Sequence, residues 1–209
     1  MVKGTFKYIV FDLGGVLVDI DPDRAIRAFA QLGGMKIDDL ENRIENLGLF
    51  HEYEIGQYNH PEFRDRLRTF LPNSVSDEEI DKAWSSLILD IPQDRIDLLE
   101  SLKQRYQLFV LSNTNPFHIQ QINQQLIRNG NPPLESLFHK VYYSYLLQMT
   151  KPSPEIYQHI TLKNGLEPSD LLFLDDTLAN INAAQTLGWG TEHIDTPRKL
   201  FELFDHAYS

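Results

Sequence analysis

Four short groups of residues carry side chains fit for chemistry, and their order along the chain matters as much as their types. Asp12 closes an apolar run, Tyr8-Ile9-Val10-Phe11, and is followed by Leu13, Gly14 and Gly15. Ser112 and Asn113 close a second run, Leu108-Phe109-Val110-Leu111. Lys151 precedes Pro152, and Asp175-Asp176 follow a third run, Leu171-Leu172-Phe173-Leu174. Carboxylates are hard oxygen donors, and Asp12 and Asp176 with water suit Mg²⁺, which often shares its coordination with substrate phosphate. The Ser112 hydroxyl and the amides opening the next helix suit a phosphate group. The Lys151 ammonium would neutralise phosphate oxygens and hold an aspartate nucleophile ionised. Asp12 would then attack phosphorus and carry a covalent phosphoryl group. Taken singly, each residue has a plainer reading. Asp12 is a turn former, Ser112 a helix cap and Lys151 a solvated charge. Asp175-Asp176 is more telling, because adjacent carboxylates after four apolar residues repel unless a cation lies near.

These residues need elements to bring them together. Residues 6–11 and 16–18 read as a strand running into a turn. Asp21-Pro22 reads as an N-cap and first helical position, with Ala25, Ile26, Phe29 and Leu32 on one face and Gly33-Gly34 at the end. From 36 to 90 no strand stands out. Ser76-Asp77-Glu78-Glu79 is a capping box ahead of the stripe Ile80, Ala83, Trp84, Leu87. Residues 20–90 therefore read as a small helical subdomain, set between core segments 1–19 and 91–209.

The core segment alternates. A helix over 95–104 precedes the strand at 108–111, and another runs to about 128. A strand is expected at 141–144, and a helix from Ser153-Pro154 to Gly165. The strand at 171–174 and a helix over 180–187 follow. Strands alternating with helices predict an α/β fold with a Rossmann-like, doubly wound parallel sheet. In such sheets ligands sit beyond the carboxyl ends of the strands, where Asp12, Ser112-Asn113 and Asp175-Asp176 would meet.

Composition narrows the classes. The 209 residues suit one domain with an insertion or two small domains, and they can bury roughly 70% of their unfolded surface without staples. No cysteine is present, which excludes disulfides, thiolate metal sites and a thiol nucleophile. Net charge is -11 and the pI about 5.0, so nucleic acid is not an expected partner. Residues 1–7 lack a signal-peptide pattern, and no apolar run is long enough to cross a membrane. The expectation is a soluble cytoplasmic protein. The seven histidines fall in no metal-ligand pattern.

Phe11-Asp12-Leu13-Gly14-Gly15-Val16-Leu17, Leu111-Ser112-Asn113-Thr114-Asn115, Lys151-Pro152 and Phe173-Leu174-Asp175-Asp176-Thr177-Leu178-Ala179-Asn180 together resemble the four motifs of the haloacid dehalogenase (HAD) superfamily. The match spans nearly the whole chain. Within that superfamily the chain is similar to the phosphatases related to the N-terminal domain of soluble epoxide hydrolases and to bacterial glucose-1-phosphate phosphatases. The resemblance implies a Rossmann-like core with a C1-type helical cap over 20–90. It implies Asp12 as nucleophile, Ser112 and Asn113 as phosphate ligands, Lys151 as the third-motif lysine and Asp176 as the Mg²⁺ aspartate. Asp175 would support that aspartate from behind, together with Asn180. The backbone carbonyl of Gly14 would be a further metal ligand.

One departure stands out. Most phosphatases of that superfamily carry an acid/base aspartate two residues after the nucleophile, where this chain has Gly14. General acid/base help is worth roughly 10²–10⁴ in rate, against a total enzymatic acceleration of about 10⁶–10¹⁷. Its absence favours good leaving groups, as in sugar 1-phosphates, acyl phosphates and aryl phosphates. Asp19 and Asp21 are candidate substitutes, with helix capping the competing role of Asp21. The expected function is a Mg²⁺-dependent phosphatase of a small phosphorylated metabolite. The alternatives are a metal-independent 2-haloacid dehalogenase, and a non-catalytic binding protein whose aromatics Phe50, Tyr53, Tyr58 and Trp84 face a partner. Substrate choice is expected to rest near Phe50, His51, Glu54 and Tyr58.

Overall fold

The computed structural model describes residues 6–204; residues 1–5 of the stretch read for a targeting signal lie outside them. β1 (Tyr8–Phe11) runs into a turn and then β2 (Asp19–Ile20). Five helices follow: α1 (Pro22–Gly33), α2 (Ile37–Asn46), α3 (Leu49–Glu54), α4 (His60–Arg68) and α5 (Asp77–Ser85). β3 (Ile88–Asp90) leads back to α6 (Gln93–Leu102), β4 (Gln107–Ser112), α7 (Pro116–Arg128) and α8 (Leu134–Leu137). β5 (Lys140–Tyr143), α9 (Ser144–Leu147), α10 (Pro154–Asn164) and β6 (Leu171–Asp175) come next. α11 (Leu178–Thr186), β7 (Gly190–His193) and α12 (Pro197–Phe204) complete the described chain. Among the described residues no helix is long and apolar enough to cross a membrane.

The five-stranded sheet has the order β5-β4-β1-β6-β7 and is parallel throughout. A parallel sheet covered by helices buries both faces, so its strands are continuous apolar runs. Alternate residues divide between the two faces. Ile9, Phe11, Val110 and Leu174 join one cluster, while Val10, Phe109, Leu111 and Phe173 join the other. β1 lies between β4 and β6, with Phe11 level with Val110 and Leu174. That register brings Asp12, Ser112 and Asp175 to neighbouring strand ends.

The helical insert has its own core, including Phe29, Tyr53, Phe63, Ile80 and Trp84. Its capping box forms as expected, with the Glu79 amide donating to Ser76 Oγ at 3.2 Å and the Ser76 amide to Glu79 Oε2 at 2.8 Å. Tyr53 and Trp84 are buried, and Phe50 packs 4.5 Å from Trp84 between ring centroids. These aromatics fill the insert rather than face outward.

Several local readings change. Val16, Leu17 and Val18 form a turn, with the amides of Leu17 and Val18 both donating to the Leu13 carbonyl. Their burial accounts for their apolar character. A ribbon of β2 against β3 joins the two ends of the insert, pairing Asp19 with Asp90. It is too short to show a period. Asp21 sits at the N-cap of α1 but makes no capping bond, pairing with Arg27 at 3.1 Å. Ser153 makes no cap either, and its hydroxyl bonds Glu155. Ser144 belongs to α9 rather than to the strand before it.

His118 clasps the insert to the core. Its ring stacks on Trp84 at 4.5 Å, its Nε2 donates to the Trp84 carbonyl at 3.3 Å, and Asn115 Nδ2 donates to its Nδ1 at 3.0 Å. Burial pushes this imidazole down to about 4, with the Trp84 carbonyl opposing. The folded state thus prefers neutral His118. Its contribution is complete above the unfolded histidine pKa of about 6.5 and is lost as pH falls toward 4. Between pH 7 and pH 4.5 the loss is expected to be about 2–3 kcal/mol. Urea unfolding of wild type and His118→Phe at both pH values checks this, and the variant should lose less by that amount. An equal acid loss in the two proteins would contradict it.

Candidate active site

β1 and β6 carry Asp12 and Asp175 to one level, and the Asp12 amide donates to the Leu174 carbonyl at 2.8 Å. Lys151 reaches between them, with Nζ 2.8 Å from Asp12 Oδ1 and 2.7 Å from Asp175 Oδ2. Asp12 Oδ1 also accepts the Leu13 amide at 2.6 Å. All three residues are buried. Burial works against the Lys151 ammonium, but Asp12 and Asp175 together outweigh it and hold its pKa above the usual lysine range. Burial pushes the Asp12 carboxyl up to about 7, Asp175 adding and Lys151 opposing.

Asp175 is fully committed. Its Oδ1 accepts the Thr177 amide at 2.8 Å, its Oδ2 accepts Lys151, and Asn180 Nδ2 lies 3.0 Å from both oxygens. Asn180 is fixed in turn by its carbonyl, which accepts the Tyr157 hydroxyl at 3.1 Å. Asp176 faces the open side, and its carboxyl is pushed up by partial desolvation and by Asp175 beside it.

The donor set fits a divalent cation. Oxygens of Asp12, Asp175 and Asp176 lie within 4.8 Å of one another, and the Lys151 ammonium pairs with the first two of these three carboxylates. Gly15 makes the approach of Asp176 possible. It has φ 74°, and a Cβ there would stand 2.1 Å from Asp176 Oδ2. Hard oxygens in excess of positive charge are what Mg²⁺ requires. The bridge between Gly14 and Val18 uses the Gly15 amide and the Leu13 carbonyl, so the Gly14 carbonyl stays out of that pairing. Gly15→Ala is expected to weaken Mg²⁺ binding about 10–100-fold, as losses of supporting groups at metal sites do. Isothermal titration with Mg²⁺ reads this directly. Unchanged affinity in a folded variant would remove Gly15 and Asp176 from the metal site.

Ser112 is buried at the end of β4. Asn113 does something the sequence did not signal. Its Nδ2 donates to the Lys151 carbonyl and its Oδ1 accepts the Lys151 amide, both at 2.9 Å. The side chain therefore fixes the Lys151 backbone and is not free for the phosphate contact expected of it. Thr114 and Ser144 carry no signal of their own in the sequence. The Thr114 amide donates to Ser144 Oγ at 2.9 Å, and is thereby taken from the row of amides expected to face phosphate. Asn115-Pro116 carried a legible signal, since Asn115 caps α7 by accepting the His118 amide at 2.9 Å.

A cavity of about 300 Å³ lies beside the cluster, between sheet and insert. Leu13, Gly14, Ser112 and Asn113 line its core side, and Phe50, Glu54 and Trp84 its insert side. Of the four residues expected to choose substrate, Phe50 and Glu54 are there. His51 is exposed and the Tyr58 hydroxyl bonds Glu52. Neither substitute acid is free: Asp19 pairs with Arg95 at 2.6 Å and Asp21 with Arg27. A Cβ at Gly14 would sit 2.9 Å from Ile20 Cδ1, so Ile20 crowds the place of the missing acid.

A parallel sheet with two acidic strand ends and a third ending in Ser112-Asn113, one buried lysine and a helical insert after the first strand defines a hydrolase class. The family model of haloacid dehalogenase-like hydrolases matches residues 6–188, and the chain belongs to that family. It is 36% identical over 185 residues to a D-ribitol-5-phosphate phosphatase of Bacteroides thetaiotaomicron, covering 88% of this chain and 90% of that one. It is 26% identical to a phosphorylated carbohydrates phosphatase of Thermotoga maritima, covering 86% of this chain and 81% of that one. Among solved structures, a HAD family enzyme from Bacteroides thetaiotaomicron in complex with magnesium and inorganic phosphate superposes with a TM-score of 0.82. That enzyme is 36% identical, with 90% of this chain and 93% of that chain covered.

Proposed function

We propose that this hydrolase is a Mg²⁺-dependent phosphatase of small phosphate monoesters, with Asp12 as its nucleophile. The observation that carries the reading is the Lys151 ammonium pinned between Asp12 and Asp175. It holds Asp12 Oδ1 together with the Leu13 amide and leaves the second carboxylate oxygen for attack. Asp12 forms an acyl phosphate, water then attacks phosphorus, and the carboxylate is regenerated. Ser112, the Asn113 main chain and Lys151 hold the phosphoryl group. Asp12, Asp176 and the Gly14 carbonyl would hold Mg²⁺, which when bound there offsets the negative charge of the phosphate oxygens. Asp175 and Asn180 orient Lys151 and the Asp176 loop. Residues 20–90 act as a cap over the core of 1–19 and 91–209, and the aromatic stacks between them keep water from the site.

The substrates of the two phosphatase relatives support phosphorylated sugars and polyols as the class. Neither nucleic acid nor a membrane is a partner in this reading, and the cytoplasm is its setting. Phosphate release from a panel of sugar 1-phosphates, polyol phosphates and 4-nitrophenyl phosphate tests it. Turnover should appear with Mg²⁺ and fall about 10²-fold or more with a chelator. Chloride release from 2-haloacids without metal would replace this reading with a dehalogenase. Equal background in wild type and Asp12→Asn across the panel would replace it with a binding protein.

A further inference from the structure

Gly14 leaves the leaving-group oxygen without an acid from the first motif, and Ile20 crowds that place. The cavity beside Gly14 and Ser112 offers two titratable side chains, Glu54 and His118. His118 is spent, since both ring nitrogens are bonded. Glu54 is the last residue of α3, and its carboxyl takes no hydrogen bond from any described residue. The rest of the insert-side wall is largely apolar, with Ala25, Ile26, Phe50 and Leu87. A carboxylic acid in such a wall stays protonated more readily than in water. Burial pushes Glu54 up to about 7, with Lys151 opposing.

Glu54 is also held in place from the core. Ser144 Oγ, 2.6 Å from the Glu54 carbonyl, lies 3.1 Å from the Thr114 carbonyl and accepts the Thr114 amide. One hydroxyl thus ties the end of α3 to the loop that follows Ser112. Gly56, with φ 74°, brings the chain so close that a Cβ would stand 2.5 Å from the Tyr145 carbonyl oxygen. The position of Glu54 over the cavity is set by the core and not by the insert alone.

We propose that Glu54, reaching from the insert into the cavity, is the general acid that Gly14 does not supply. The proposal rests on the phosphatase reading above. In the first step the Asp12–phosphorus bond forms and the phosphorus–ester oxygen bond breaks. The Glu54 proton passes to the leaving alkoxide, which departs as the alcohol. In the second step water attacks phosphorus, the Asp12–phosphorus bond breaks, and the Glu54 carboxylate takes a proton from that water. Inorganic phosphate leaves and Glu54 is protonated again. With this acid in place, alkyl phosphates such as polyol phosphates become substrates, although their leaving groups need a proton.

The test is kcat/KM, which reports the first irreversible step, across phosphates of rising leaving-group pKa. Wild type, Glu54→Gln and Glu54→Asp are compared with saturating Mg²⁺. Glu54→Gln should lose about 10²-fold or more on alkyl phosphates and several-fold at most on 4-nitrophenyl phosphate. Glu54→Asp, which keeps a carboxyl, should fall between. An equal loss of Glu54→Gln on all substrates would assign Glu54 a structural role and overturn the proposal, as would no loss on alkyl phosphates. Absence of any Mg²⁺-dependent turnover by wild type would instead overturn the phosphatase reading itself.

Discussion

Asp12→Asn is expected to lower phosphate release by about 10⁴-fold or more, the scale seen when a nucleophile is removed from a catalytic set, while leaving the fold at least as stable. An amide has the size and shape of the carboxyl but does not attack phosphorus. Its oxygen can still accept the Leu13 amide, now held at 2.6 Å. Lys151 keeps Asp175 at 2.7 Å, so the variant strands no buried ammonium. The substitution removes a carboxylate that burial and Asp175 both disfavour. Active-site residues commonly trade stability for function in this way. Thermal melts with and without Mg²⁺, beside steady-state turnover, separate the two effects. A melting temperature that falls along with activity would reassign Asp12 to the structure.

Lys151→Met should be the most damaging single change to the folded state. Nζ is buried and contacts two buried carboxylates at 2.8 and 2.7 Å. Methionine fills the space but leaves Asp12 and Asp175 facing each other without a cation. Removing one partner of a buried ion pair costs about 3–5 kcal/mol, because the remaining charge stays desolvated. Asn113 would still bond the residue-151 backbone through both the nitrogen and the oxygen of its side-chain amide, so the loop itself should hold its course. Urea unfolding gives the stability loss, and turnover should fall with it even where the variant remains folded. A variant as stable as wild type would show that the lysine is not neutralising these carboxylates.

The strand ends were legible because each combined two signals. Asp12, Ser112 and Asp175-Asp176 follow apolar runs that a parallel sheet buries on both faces, and a polar group there marks where the strand leaves the core. Lys151 has no such run, and only its place between other motifs drew attention to it. β7, with the sequence Gly190-Thr191-Glu192-His193, was not legible, because an edge strand half open to solvent carries no apolar signature. Nor was the β2–β3 ribbon, in which Asp19 faces Asp90 and Arg95 pairs with Asp19. Partner choice was harder still. Asp21 has the residue type and position of a cap, yet ion pairing with Arg27 took its side chain. Asn113 sits in a phosphate motif, yet its amide grips the Lys151 backbone. Glu54 lies in the stretch expected to choose substrate but carries no catalytic motif, and the docking of α3 through Ser144 is what places it beside the cavity.

Rapid acid quench of the enzyme turning over a phosphate monoester, followed by mass spectrometry of its peptides, tests the central claim most directly. With Mg²⁺ present, phosphate should be found covalently on the peptide containing Asp12, and it should be absent from Asp12→Asn. Steady phosphate release with no phosphoryl group trapped on that peptide, even when a burst of alcohol precedes it, would contradict Asp12 as the nucleophile.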